Sequence, residues 1–122
     1  MATPPVNTLP TNLLIPLTPE LRAAYKDLYD KMQAQLDNTM DLAVIEALNV
    51  SQPQVDEVLR KDDLYKLNAN TAAFNALQKQ IDFTNQGLKT LQGQISSIAS
   101  HFTMAAEIMA AITKILTIVP GI

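Results

Sequence analysis

The residues of this chain whose types could support chemistry are few: one histidine, His101, and an acidic run at Asp56, Glu57, Asp62 and Asp63. A lone imidazole serves as a proton switch or metal ligand only with a partner charge. His101 flanks an apolar repeat, which makes a residue at the edge of a helix the expected role. The four carboxylates suggest cation binding, but no glycine-turned calcium loop spaces them. Their neighbours point elsewhere. Asp56/Arg60, Glu57/Lys61 and Asp62/Lys66 are acid-then-base pairs four apart, the orientation that stabilises a solvated helix. Neither Glu-x-x-His nor a second histidine exists, so the ligand set of a di-iron bundle is missing. Glycine occurs only at 87, 93 and 121, which leaves no Gly-rich phosphate loop. Tyr25, Tyr29 and Met32 could line a ligand box, yet at helical spacing they read as core. The expectation is a protein that is not an enzyme, with no catalytic residue, cofactor site or metal site.

The elements that must position these residues are organised around Phe74 to Val119. In steps of three and four this stretch runs Phe74, Leu77, Ile81, Thr84, Leu88, Leu91, Ile95, Ile98, Phe102, Ala105, Met109, Ile112, Leu116 and Val119, with only Thr84 breaking the apolar set. That is the seam of a coiled coil or long bundle helix. From Met104 a second stripe joins it through Ile108, Ala111, Ile115, Ile118 and Ile122. A third face is small: Ala99, Thr103, Ala106, Ala110, Thr113 and Thr117. Small residues in a row let another backbone come close. Only Ser100, Glu107 and Lys114 mark a face that needs water, so the helix end is expected to be buried nearly all round. Gly87 and Gly93 lie inside the repeat, each costing about 1 kcal/mol against alanine, and a break at either would give four helices in place of three. The apolar phase passes both without a reset, which predicts one helix over 71–119, closed by Pro120-Gly121.

Upstream, Pro4, Pro5, Pro10 and Pro16 make residues 1–17 an extended arm. Its cluster Leu13, Leu14, Ile15 and Leu17 argues that the arm packs on a helix. Thr18-Pro19-Glu20 is a strong helix start, a hydroxyl cap followed by proline and acid. The spacing of Leu21, Tyr25, Leu28, Met32, Leu36, Met40, Ala43, Ala47 and Val50 predicts a helix over 19–50. Ser51-Gln52-Pro53-Gln54 reads as a capping box opening a short charged helix over 52–66, which either continues the preceding helix with a kink or turns away from it. Asn68-Ala69-Asn70-Thr71 supplies the next turn and cap.

Composition bounds the rest. A chain of 122 residues is one domain with room for a modest core. It is 48% hydrophobic but only 5% aromatic, with no Trp, so that core is aliphatic. Net charge is −3, and beyond Leu67 only Lys79, Asp82, Lys89, Glu107 and Lys114 are charged. No basic patch tracks phosphates, so nucleic acid is not an expected partner. The absence of cysteine excludes a disulfide framework and a thiolate site. The N-terminal residues show no basic and long apolar run, so the expected location is cytoplasmic, or exported without a cleaved signal. An acidic, weakly aromatic helix-turn-helix with a Pro-rich arm resembles in layout the small helical hairpins exported by bacterial type III and type VII systems. The Trp-x-Gly turn of the type VII hairpins is missing, and no family follows from the layout.

The sequence therefore predicts an all-α protein: a long helical hairpin or an up-down three- or four-helix bundle, with an arm at 1–17 and one helical domain at 18–122. Its expected role is binding and assembly, as a homo-oligomer or with a protein partner. The residues expected to carry it are Leu13, Leu14, Ile15 and Leu17 in the arm, with Phe102, Met104, Ala106, Ile108, Ala110, Ile112, Ile115, Leu116 and Ile118 in the last helix. The alternative is a membrane-active, pore-forming-like protein whose last helix inserts only after assembly. Glu107 and Lys114 would each cost about 2.5–3.5 kcal/mol near a bilayer centre, which disfavours spontaneous insertion.

Overall fold

A computed structural model of the protein describes residues 14–119. Among the described residues the fold is all-α. Four helices follow one another: α1 (Pro19–Asp37), α2 (Leu42–Leu67), α3 (Thr71–Ser97) and α4 (Ala105–Ile118), with a 3-10 turn at Ala99–His101 between the last two. Helix α1 lies against α2 and α4, and α3 also lies against α2 and α4.

The start of α1 is where the sequence puts it. Thr18 Oγ1 accepts from the Leu21 N–H at 3.2 Å, and Pro19 opens the first turn. The helix then stops at Asp37 and does not run on to Val50. Asn38 ends it, its amide reaching the Ala34 carbonyl at 2.7 Å, and Asp41 opens α2 by accepting from Ala43 and Val44 N–H. Polar capping groups at 38 and 41 outweigh a stripe whose members here, Met40 above all, are left in water.

The expected boundary at Ser51 is likewise absent. Helix α2 passes through Pro53, and Ser51 and Gln52 are buried within it. A proline inside a helix costs roughly 3 kcal/mol. Val44, Ala47 and Leu48 before it, and Val55, Val58 and Leu59 after it, all enter one core, each large residue contributing about 1.5–3 kcal/mol. Burial on both sides of the proline outweighs the lost hydrogen bond. The turn at 68–70 follows the sequence: Asn70 caps α3 by accepting from Ala73 N–H at 2.8 Å.

The single helix over 71–119 is also not observed. The chain bends at 98–104, and neither glycine is the cause: Gly87 and Gly93 both sit within α3. At Gly87 the missing side chain admits Gln54, whose Oε1 lies 2.6 Å from where a Cβ would be. Space at Gly93 is open.

Candidate interaction surfaces

Helix α4 turns its second stripe inward. Ile108, Ile112 and Ile115 are fully buried, Ala111 and Ile118 nearly so, while Met104, Met109 and Leu116 are half-buried. Phe102 is buried at the bend. Ala99, Thr103, Ala106, Ala110, Thr113 and Thr117 are all exposed. The helix is therefore covered on one broad face and open along its small-residue face, where burial nearly all round was expected. The bend explains the difference: α4 folds back and meets α1 and α3 on one side, with no further helix among the described residues on the other.

Of the arm residues, Leu14, Ile15 and Leu17 are buried in the same core, and Leu13 lies outside the described residues. Their anchor is Asp62. This carboxylate, fully buried, accepts the Leu17 N–H at 2.8 Å, Arg22 Nη1 at 2.6 Å and Lys66 Nζ at 2.9 Å. Arg22 bridges further to Asp63 at 3.0 Å. A buried carboxylate with three donors is compensated; remove it, and the Leu17 amide is left without its acceptor. Asp62 is thus a core residue that ties residues 14–17 and α1 to α2, and not the solvated surface charge its sequence neighbours suggest. Glu57–Lys61 forms as expected at 3.4 Å, whereas Asp56–Arg60 is not among the ion pairs of the described residues.

Two polar side chains hold the bend. Gln35, fully buried at the end of α1, accepts from the Met104 N–H at 2.8 Å and from Thr103 Oγ1 at 3.3 Å. It thereby caps α4 from another helix, because Met104 itself supplies no side-chain cap. His101 Nδ1 pairs with Asp41, the residue that caps α2. The Asp41 carboxyl is held below the usual carboxylate range, first by the His101 hydrogen bond and then by the Val44 N–H. The lone histidine therefore does have a charged partner, one that joins two connections, 38–41 and 98–104.

In the core, Tyr25 donates to Asn85 Oδ1 at 2.7 Å, linking α1 to α3. Burial pushes the Tyr25 phenol well above its ordinary range, opposed by the weaker effect of the Asn85 hydrogen bond. It stays neutral and serves as a donor. Met32 is also fully buried, so Tyr25 and Met32 are core, with Tyr29 half-buried beside them.

Helices α2 and α3 leave an open groove of about 590 Å³, lined by Ala43, Glu46, Ala47 and Val50 against Gly87, Thr90 and Gln94, and reaching Ile98 at the bend. Among the described residues no three His, Asp or Glu side chains gather as a metal site, and no helix is long and apolar enough to cross a membrane. Sequence reasoning missed Gln35, Asp62 and Asn85 as structural anchors. A signal was present: each sits at a three- or four-residue step from buried apolar neighbours (Met32, Leu59, Ile81), so a polar group on a core face was legible. No protein-family profile, curated protein or solved structure matches the chain.

Proposed function

We propose that the chain is a non-enzymatic helical interaction and assembly protein that oligomerises or docks a protein partner through its apolar C-terminal helix, built as an up-and-down bundle whose short connections make sequential helices antiparallel. The observation that carries the reading is how much large apolar side chain α2, α3 and the 38–41 connection leave in water. Met40 is 94% exposed, Leu67 84%, Leu42 72%, Val50 63%, Leu64 61% and Phe83 59%. Singly exposed apolar residues are ordinary, but these accompany the open α2–α3 groove and the small-residue face of α4, beside the exposed Glu107 and Lys114, where Ala106 and Ala110 permit close helix approach. The polar residues with unusual surroundings, Tyr25, Gln35 and Asp62, each bond between separate segments of the fold. Sedimentation of the purified chain across a concentration series tests the reading, alone and with candidate partners, beside Ala106→Leu and Ala110→Leu variants. Association weakened by either substitution supports it. A monomer with no partner, indifferent to both, sinks it.

A further inference from the structure

We propose that residues 98–104 are a hinge through which α4 exchanges between two copies of this chain, α3 and α4 of each copy merging into one helix over Thr71–Ile118 while α4 docks on α1 and α3 of the other copy. This rests on the assembly reading and names its partner as a second copy. Four observations converge on it.

The bend contains no residue that requires it. Ile98, Ala99, Ser100, His101, Phe102, Thr103 and Met104 include neither glycine nor proline, and all are compatible with a helix interior. The apolar phase also crosses the bend intact: Ile95, Ile98, Phe102, Ala105 and Met109 keep steps of three and four, so a straightened helix has one continuous stripe.

The bend is held from outside. Gln35 caps Met104 from α1, and Asp41 holds His101 from the 38–41 connection. Within the bend, the Thr103 N–H donates to no backbone carbonyl, and the His101 and Phe102 N–H groups reach only three residues back, to Ile98 and Ala99. In a straight helix each would meet the carbonyl four residues back. Exchange therefore trades two tethers for several intrahelical hydrogen bonds.

The burial of α4 survives the trade. Ile108, Ile112 and Ile115 find the same α1 and α3 surfaces on a second copy, so the apolar area lost by opening is recovered on pairing. The two merged helices then cross near Phe102, placing the half-buried Ile98 and Met109 of each chain at a two-fold contact that the bent form lacks. Joining two chains costs translational freedom, so the exchanged form gains with protein concentration.

A cross-link decides it. Gln92 on α3 donates to Thr113 on α4 at 3.3 Å, and the chain has no cysteine of its own. The Gln92→Cys/Thr113→Cys variant is unfolded, refolded at high protein concentration, separated into monomer and dimer, and treated with a short bis-maleimide. Exchange joins the dimer fraction into covalent chain pairs under denaturing conditions, while the monomer fraction is joined only within chains. A dimer joined only within chains leaves assembly standing and overturns exchange. A chain that stays monomeric at every concentration also overturns exchange, and leaves only docking of a foreign partner for the assembly reading. Ser100→Pro is the second arm. It blocks the straight helix, so the dimer fraction falls roughly ten-fold or more. Unchanged dimerisation of a folded Ser100→Pro chain overturns the hinge.

Discussion

Two connections in this protein do the same job by opposite means. Between α2 and α3, residues 68–70 end one helix and start the next with local groups: Asn70 caps Ala73, its amide bonds the Asn68 carbonyl, and Tyr65 packs edge-on to Phe74 with ring centroids 6.2 Å apart. Between α3 and α4, residues 98–104 carry no such device. The α4 N-terminus borrows its acceptor from Gln35, far back in the chain, and the bend is pinned by Asp41. A turn written in its own residues forms as soon as they meet. A turn imposed by distant side chains exists only while the tertiary structure does, and the same residues are free to form helix when it opens.

Substitutions that act on one connection and spare the other sharpen this contrast. The largest effect is expected at Ile108→Asp, which places a carboxylate where α4 meets the core; loss of the cooperative thermal transition is the expected outcome. A chain that melts like the parent would mean α4 contributes little to the fold. Gln35→Ala is next, at about 2–4 kcal/mol of destabilisation in urea titration, because it opens a cavity and strips the cap of α4 together. Hydrogen exchange should rise first in α4 in this variant. Should it rise uniformly, the bend is not separately held.

Alkaline titration addresses the link between α1 and α3. The folded state keeps Tyr25 neutral above its ordinary value of 10.0, whereas the unfolded chain ionises there. The contribution is complete below that pH and is lost as pH rises above it. The parent should therefore lose about 1.4 kcal/mol per pH unit beyond pH 10 relative to Tyr25→Phe. Parallel stability curves for the two chains would mean the phenol is not held by burial.

Asn70→Ala should cost about 1 kcal/mol, the ordinary value of one N-cap, and leave α4 exchange untouched. A loss as large as that of Gln35→Ala would erase the distinction between the two connections. Smallest of all, Gly93→Ala should stabilise by about 0.5–1 kcal/mol, since open space surrounds the added methyl. Gly87→Ala should stabilise less, because the Gln54 amide must give way. Equal gains at both positions would show that Gln54 moves without cost.

By itself the sequence determined the helical class, the Thr18-Pro19 start, the turn at 68–70 and the apolar membership of α3 and α4. Each depends on residues a few positions apart, whose periodicity and capping chemistry act before any long-range contact forms. Leu14, Ile15 and Leu17 are buried in the core, and their apolar side chains made cover legible for these three residues. What the sequence did not reveal is decided at long range. Pro53 sits inside α2 because core contacts on both sides of it outweigh a local break. Asp62 is buried because Arg22 and the Leu17 amide arrive from 40 and 45 residues away. The bend at 98–104 exists because Gln35 and Asp41 reach it from the far half of the chain. The inner face of α4 was legible as apolar, but not which surface it meets, because an apolar stripe is complementary to any other apolar stripe; the tertiary structure chooses the partner by placing polar anchors at its ends.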